Sequence, residues 1–401
     1  MTASASTSLR SVPYSRPVVV PETGEAVERV LRSGWLTTGP ECAAFEEEFA
    51  AWVEAPYAVS VASCTAAIEI AFRAMHLPRH ARVLVPAVTF CGAVEAVAHA
   101  GLVPVLADVE ADTGTVSPRT CAAAARAAGG VDAMLALHFA GFPADVPALA
   151  DAAGITLDHV VEDAAHALGT TVGDQKVGGI SRATCFSFYA TKNLPIGEGG
   201  MLTTRDEELA AEVRVTRLHG MTKDAWRRYL PGGDWRYSVE QAGVKANLSD
   251  VHAAIGRAQL RHLDTWQRRR HELAASYAAG LSGIPGLGVP QDPADGEHAW
   301  HLYVVRVTSG TGVTRDEMSR ALADRGIGTS VHFIPLHHFP HFRDVCVMPP
   351  TGLPGAEAVF AETLSLPLHQ GLTDKDVATV VDALASIARP VPSERYQEVL
   401  Q

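Results

Sequence analysis

Basic residues are scarce in this chain: 33 Lys and Arg stand against 45 Asp and Glu, a net charge of -12. Nucleic-acid binding wants a basic face to meet phosphates, so the balance argues against that class and for a soluble enzyme. Cysteine spacing is equally uninformative as a framework. The six cysteines (Cys42, Cys64, Cys91, Cys121, Cys185, Cys346) never form a C-x-x-C pair, and a chain this long does not depend on disulfides, so free thiols are expected. No apolar run follows the small, polar stretch Met1 to Ser8, so neither a signal peptide nor a membrane span is visible, and a cytoplasmic location is expected. Internal repeats are also missing. What remains is 401 residues, 47% of them hydrophobic, which exceeds the usual size of a single core. The expected division is a disordered N-terminus (1–12), a large α/β domain (13–250) and a small α+β domain (251–401).

From about residue 57 to 205, short β-branched runs alternate with Ala-rich helical stretches, as a mostly parallel sheet with crossover helices requires. The expected strands are 57–61, 82–85, 103–107, 133–138, 159–162, 184–187 and 200–204, giving seven in all. Helices are expected over 65–75, 91–100, 118–128 and 146–153. After residue 250 the pattern changes. One long helix (248–281), a Gly/Pro-rich break (283–296), a strand (301–307), a helix (315–325), a strand (329–333) and a last helix (375–388) are expected. The run Arg268-Arg269-Arg270 falls within the helical pattern and reads as a solvated face.

Chemistry concentrates in the first region. Lys192 follows the apolar run Phe186-Ser187-Phe188-Tyr189 and precedes Gly197-Glu198-Gly199-Gly200, whereas a surface lysine has no such neighbours. Asp163 ends an apolar strand at the carboxyl edge where open α/β sheets place ligands. A lysine that holds an aldehyde as a Schiff base, with an acid to keep a ring nitrogen protonated, is the pair that pyridoxal phosphate needs. Ser63-Cys64-Thr65 joins a strand to a helix and presents backbone N–H groups and hydroxyls suited to a phosphate, although an ordinary N-cap uses the same residues. Ser187 is a second hydroxyl for that phosphate. Phe90, after another strand, can stack on a flat ring, and His166 can reach the ring hydroxyl. The histidines His332, His337, His338 and His341 bring no carboxylate at metal-ligand spacing and are interrupted by prolines, so no metal is expected and a substrate-facing loop is favoured.

With these motifs in place, the chain resembles the DegT/DnrJ/StrS sugar aminotransferases, a branch of the fold-type-I, aspartate-aminotransferase-like enzymes. The likeness runs almost end to end through Ser33-Gly34-Trp35-Leu36-Thr37-Thr38-Gly39-Pro40, Ser63 to Ala67, Pro86 to Phe90, Glu162 to Ala167, Phe186 to Gly200, Gly243 to Asp250, His298 to Leu302 and Ser365 to Leu368. It implies a fold-type-I PLP transferase with a seven-stranded, mostly parallel sheet in the large domain. It also implies that Lys192 is the cofactor-linked lysine, that Asp163 pairs with the ring nitrogen, that Phe90 stacks, and that Cys64, Thr65 and Ser187 hold the phosphate. Asn247 occupies the position of an asparagine that, in this family, completes the phosphate site of the neighbouring subunit, which implies a homodimer with shared sites. Trp35, Thr37, His332 and His337 are the substrate-facing candidates. Two departures stand out: the family's Lys-Tyr-Asn is Lys245-Ala246-Asn247, and Cys64 replaces the usual glycine or alanine before Thr65.

The resemblance implies an aminotransferase that takes an amino group from an amino acid, with L-glutamate expected, to a nucleotide-linked 4-keto-6-deoxy sugar, the cofactor alternating between pyridoxal and pyridoxamine phosphate. Three rivals stay open. A ketocyclitol or other non-nucleotide ketone can replace the sugar, and a protein that binds the cofactor without turnover is conceivable. A dehydratase of the same fold is disfavoured because such relatives carry histidine where Lys192 stands.

Overall fold

A computed structural model describes residues 11–222 and 236–388. Its main sheet holds seven strands: β1 (Tyr57–Val61), β2 (Arg82–Pro86), β3 (Val103–Ala107), β4 (Ala133–Leu137), β5 (Val160–Asp163), then, after a two-residue hairpin β6 (Thr171–Val172) and β7 (Gln175–Lys176), β8 (Ala183–Ser187) and β9 (Gly200–Thr204). Their order is β1-β9-β8-β5-β4-β2-β3, and only β9 runs against its neighbours. Each expected strand of this sheet is present, its ends within two residues. The sheet is buried on both faces, which explains why its strands read as continuous apolar runs rather than alternating ones.

All the parallel strands, and β1 with them, end on one edge. The turns after β1, β2, β4, β5 and β8 therefore open side by side, the arrangement in which α/β sheets bind ligands. The helices that follow β1 and β2, Cys64–Arg73 and Cys91–His99, pack on one another beneath this edge. Below the edge next to β8, Phe45, Phe49, Phe186 and Phe188 interlock, with ring centroids 5.2–6.0 Å apart. Such aromatic contacts add about 0.5–1.5 kcal/mol each beyond area burial, and they fix the strand that leads into Lys192.

A three-stranded antiparallel sheet, β10 (Leu287–Gly288), β11 (Tyr303–Val307) and β12 (Thr363–Leu366), carries a separate core with helices Leu263–Leu281, Arg315–Ala323 and Asp374–Ile387. Of the residues expected to be disordered, 1–10 lie outside the described residues. Val12 is buried against this smaller core and pairs with Ile327.

Three expectations are corrected. The run Arg268-Arg269-Arg270 is not wholly a solvated face, because Arg270 is buried and donates from Nη1 to the Trp300 carbonyl at 2.9 Å. The long helix over 248–281 is two helices, Asp250–Leu260 and Leu263–Leu281, separated at Arg261 and His262. Leu260 and Leu263 are buried on either side of the bend, and no glycine or proline marks it, so apolar periodicity ran through it unbroken. The strand expected over 329–333 is a single bridge from Ser330 to Ser365, after which the chain leaves β12 and turns His332 and Phe333 into the cavity described below. Helices Glu22–Ser33, Pro40–Val53, Glu207–Thr216, Pro340–Val345 and Pro354–Glu362 were not foreseen. No helix among the described residues is long and apolar enough to cross a membrane.

Candidate active site

A cavity of about 540 Å³ opens at the carboxyl edge of the main sheet and reaches to the smaller sheet. Of the residues singled out from the sequence, Cys64, Thr65, Phe90, Asp163, His166, Ser187, Lys192 and His332 all line it. Ser63 caps the helix Cys64–Arg73, its hydroxyl accepting the Ala66 N–H at 3.1 Å. The ordinary N-cap reading of this turn is therefore correct for Ser63, while the first N–H groups of the helix and the Thr65 hydroxyl remain at the cavity wall. Backbone approaches this turn so closely at Gly200 that a Cβ there would lie 2.5 Å from the Ser63 carbonyl carbon. A Cβ on Gly92 would similarly meet the Thr65 hydroxyl at 2.9 Å. Both glycines keep the turn clear, which is what a bulky anion at a helix N-terminus requires.

Asp163, the last residue of β5, is 4% exposed, and its Oδ1 accepts the Ala165 N–H at 3.0 Å. Burial pushes its carboxyl up, against the opposing pull of that N–H and of Lys192. Lys192 is half-buried at the cavity wall, and desolvation brings its amine down to about 8, with Asp163 and Cys64 pulling the other way. An amine so poised is a nucleophile near neutral pH, as condensation with an aldehyde demands. The Cys64 thiol lies 3.7 Å from Asp163 Oδ1 and 3.3 Å from the Cys185 carbonyl, and burial pushes it well above the usual range, so it stays protonated.

Three histidines surround Lys192. Burial, followed by the lysine's charge, holds His166 and His301 well below the ordinary imidazole range, and the same causes bring His332 to about 4. All three are therefore neutral. His166 Nδ1 accepts the Ala140 N–H at 3.2 Å, so its proton sits on Nε2. His332 Nδ1 lies 2.9 Å from the Ser365 hydroxyl, and Tyr14 stacks on the His332 ring at 5.9 Å. Phe90, 57% exposed, stands at the cavity wall 6.2 Å from the Phe333 ring.

Trp35, Thr37 and Asn247 do not line this cavity; they meet elsewhere on the chain. Asn247 donates from Nδ2 to the Thr38 hydroxyl at 2.7 Å and more weakly to that of Thr37 at 3.5 Å, while Trp35 Nε1 donates to the Thr38 carbonyl at 3.1 Å. Asp250 locks the arrangement by accepting the Gly39 and Cys42 N–H groups at 2.7 and 3.0 Å. His337 lies apart as well: His337 and His338 approach one Glu357 oxygen at 2.6 and 2.8 Å. The sequence offered these histidines no carboxylate at ligand spacing, and the fold supplies one from 19 residues beyond His338. Tyr14, His301, Phe333 and Glu198 line the cavity without having been selected. Of these, His301 and Glu198 carried a signal, through the runs His298 to Leu302 and Gly197 to Gly200.

The donor set fits pyridoxal phosphate: an amine for the aldehyde, a buried carboxylate for the ring nitrogen, a neutral N–H donor at His166, and a glycine-cleared helix N-terminus for the phosphate. Fold and site together define a PLP-dependent transferase of fold type I. Residues 18–385 match the model of the DegT/DnrJ/EryC1/StrS aminotransferase family, and the chain belongs to that family. It is 44% identical over 380 residues, covering 94% of this chain and 97% of the relative, to the spore coat polysaccharide biosynthesis protein SpsC of Bacillus subtilis. Among solved structures, S. venezuelae DesV in complex with a ketimine intermediate is 36% identical with a TM-score of 0.81, covering 92% of this chain and 95% of that one. The PMP form of the sugar aminotransferase Spr1654 from Streptococcus pneumoniae is 29% identical with a TM-score of 0.85, over 94% and 99% of the two chains. The protein is accordingly a PLP-dependent aminotransferase of a sugar-aminotransferase family.

Proposed function

We propose that the chain moves an amino group from L-glutamate to the keto group of a nucleotide-linked sugar, a 4-keto-6-deoxy sugar being the preferred acceptor. The observation that carries this reading is Lys192 and the buried Asp163 in one cavity with the helix N-terminus at Thr65. Pyridoxal phosphate supplies an electron sink for the carbanion formed when the donor loses its α-proton. Lys192 would hold the aldehyde between turnovers and, once freed, its Nζ would carry that proton to the former aldehyde carbon in the first half-reaction and a proton from there to the carbon that receives the amine in the second. Asp163 keeps its charge against the ring nitrogen, because separating a buried charge from its partner costs about 3–5 kcal/mol. His166 donates Nε2–H to the ring hydroxyl, Phe90 covers the ring face, and Thr65, Ser187 and the N–H groups around Cys64 hold the phosphate.

Trp35, Thr37 and Asn247 act on the cavity of a second copy in this reading, which makes the working unit a homodimer. The support is that they form one tied group that does not line their own chain's cavity. His332 faces the acceptor, and its uncharged ring suits a hydroxylated sugar better than a carboxylate. The test loads the enzyme from L-glutamate and offers a nucleotide-linked 4-keto-6-deoxy sugar beside a ketocyclitol such as scyllo-inosose, with amino products identified by mass. Amination of the nucleotide sugar alone is expected, and amination of the cyclitol alone would overturn the acceptor assignment.

A further inference from the structure

The tautomer of His301 is fixed by a partner outside the cavity. Asn193 is buried, and its Nδ2 donates to the Ala299 carbonyl at 2.9 Å and the Leu168 carbonyl at 3.4 Å, so its amide orientation is set by acceptors on the nitrogen side. Its Oδ1 therefore faces His301 Nδ1, 3.1 Å away, as an acceptor. A neutral imidazole has one proton, and Asn193 claims it at Nδ1. His301 Nε2 is left as a bare lone pair, with no hydrogen bond to any described residue, on a ring that lines the cavity with Lys192. His166, whose ring lies 4.5 Å from that of His301, has the opposite tautomer and presents Nε2–H. The two neighbouring rings, tilted 33° to one another, thus offer one donor and one acceptor to the same space. Arg270 holds the His301 segment in place, donating from Nη1 to the Trp300 carbonyl at 2.9 Å.

We propose that His301 is a positioning residue for Lys192: its Nε2 accepts a hydrogen bond from the Lys192 amine whenever that amine is free. Such a bond leaves the amine lone pair directed at the reacting carbon rather than at a neighbouring acceptor. It also favours the ammonium form and so sets the pH at which Lys192 changes charge. The other groups that bear on Lys192 are Asp163 at the end of β5, Cys64 at the start of its helix, and His166 and His332, which are neutral. Among these, His166 offers only a donor N–H, the Cys64 thiol is engaged with the Cys185 carbonyl, and the open acceptor capacity of Asp163 is the part this reading assigns to the cofactor's ring nitrogen. This inference rests on Lys192 being the cofactor-linked lysine.

Two substitutions separate a positioning role from a structural one. His301→Asn keeps an N–H near the Nδ1 position for Asn193 and removes the cavity acceptor, whereas His301→Gln keeps an acceptor near the Nε2 position and loses the bond to Asn193. In cofactor-free protein, the pH dependence of Lys192 acylation, followed by mass spectrometry, reports the charge state of the amine directly. His301→Asn should lower the midpoint by about one pH unit and reduce kcat about tenfold with KM little changed, while His301→Gln stays near wild type in both. Identical midpoints in all three proteins, or a larger kcat loss in the Gln variant than in the Asn variant, would overturn the proposal. Borohydride reduction of the wild-type holoenzyme marks the cofactor-linked lysine independently. Label on Lys192 with unmoved midpoints defeats the His301 proposal alone, and label on another lysine defeats the Lys192 reading together with it.

Discussion

Glu162 and Asp163 are neighbours on one strand, both carboxylates and both buried, yet their surroundings push them in opposite directions. Burial raises each of them. Around Glu162 that effect is outweighed: His138 Nε2 lies 2.9 Å from Oε2, and Oε1 receives Ser181 N–H at 3.1 Å, Ser181 O–H at 2.7 Å and Thr184 O–H at 3.0 Å, so its carboxyl falls below the usual range. His138 Nδ1 accepts the Ala144 N–H at 3.1 Å, which leaves the ring proton on Nε2 for Glu162. Asp163, on the opposite face of β5, receives one backbone N–H and the weak approach of a thiol, and its carboxyl rises. A satisfied carboxylate builds a strand edge; an under-satisfied one beside a cavity awaits a ligand. A protonated ring nitrogen would supply the donor that Asp163 lacks, as the proposed function requires.

That contrast predicts graded effects. Lys192→Ala should abolish transamination, by at least about 10³-fold, with retention of the fold by circular dichroism. Asp163→Asn should retain bound cofactor by absorbance and lose about 150- to 5,000-fold in kcat, the rate equivalent of about 3–5 kcal/mol. Glu162→Gln should do the reverse. Its amide N–H₂ would confront the His138 Nε2–H, destabilising the fold by about 1–3 kcal/mol in urea unfolding, with a far smaller change in kcat than Asp163→Asn gives. A Glu162→Gln enzyme that unfolds normally but barely turns over would break the distinction between the two faces.

The rate at which cofactor-free protein takes up pyridoxal phosphate should rise with pH and level off above about 8, because the free Lys192 amine is the reacting form and its folded value is depressed from 10.5. A profile still climbing at pH 10 would show that burial does not lower the amine. The smallest effect belongs to Cys64→Ala, which removes only a long thiol contact to Asp163 and should change kcat by no more than about threefold in steady-state assays.

The comparison also shows what a sequence can disclose. Continuous apolar runs located the seven strands, and a lysine and an acid at their ends stood out because charge is rare in such company. The Ser33 to Pro40 and Gly243 to Asp250 stretches were visible as motifs, but their mutual clamp through Asp250 spans more than 200 residues and has no local signature. Glu357 was hidden from His337 and His338 for the same reason. His301 was legible as part of a motif, while its role depends on Asn193, 108 residues away, which fixes where its proton sits. The hidden bend at Arg261 and the diversion at His332 arise from packing against surfaces made elsewhere in the chain.

The most direct test of the central assignment is the visible absorbance of the purified holoenzyme before and after L-glutamate is added without any acceptor, with borohydride trapping of the untreated sample. The account predicts a yellow protein that bleaches on addition of glutamate, with the reduced cofactor on Lys192. A protein that cannot be reconstituted to a yellow form, or one whose cofactor is trapped on a different lysine, would contradict it.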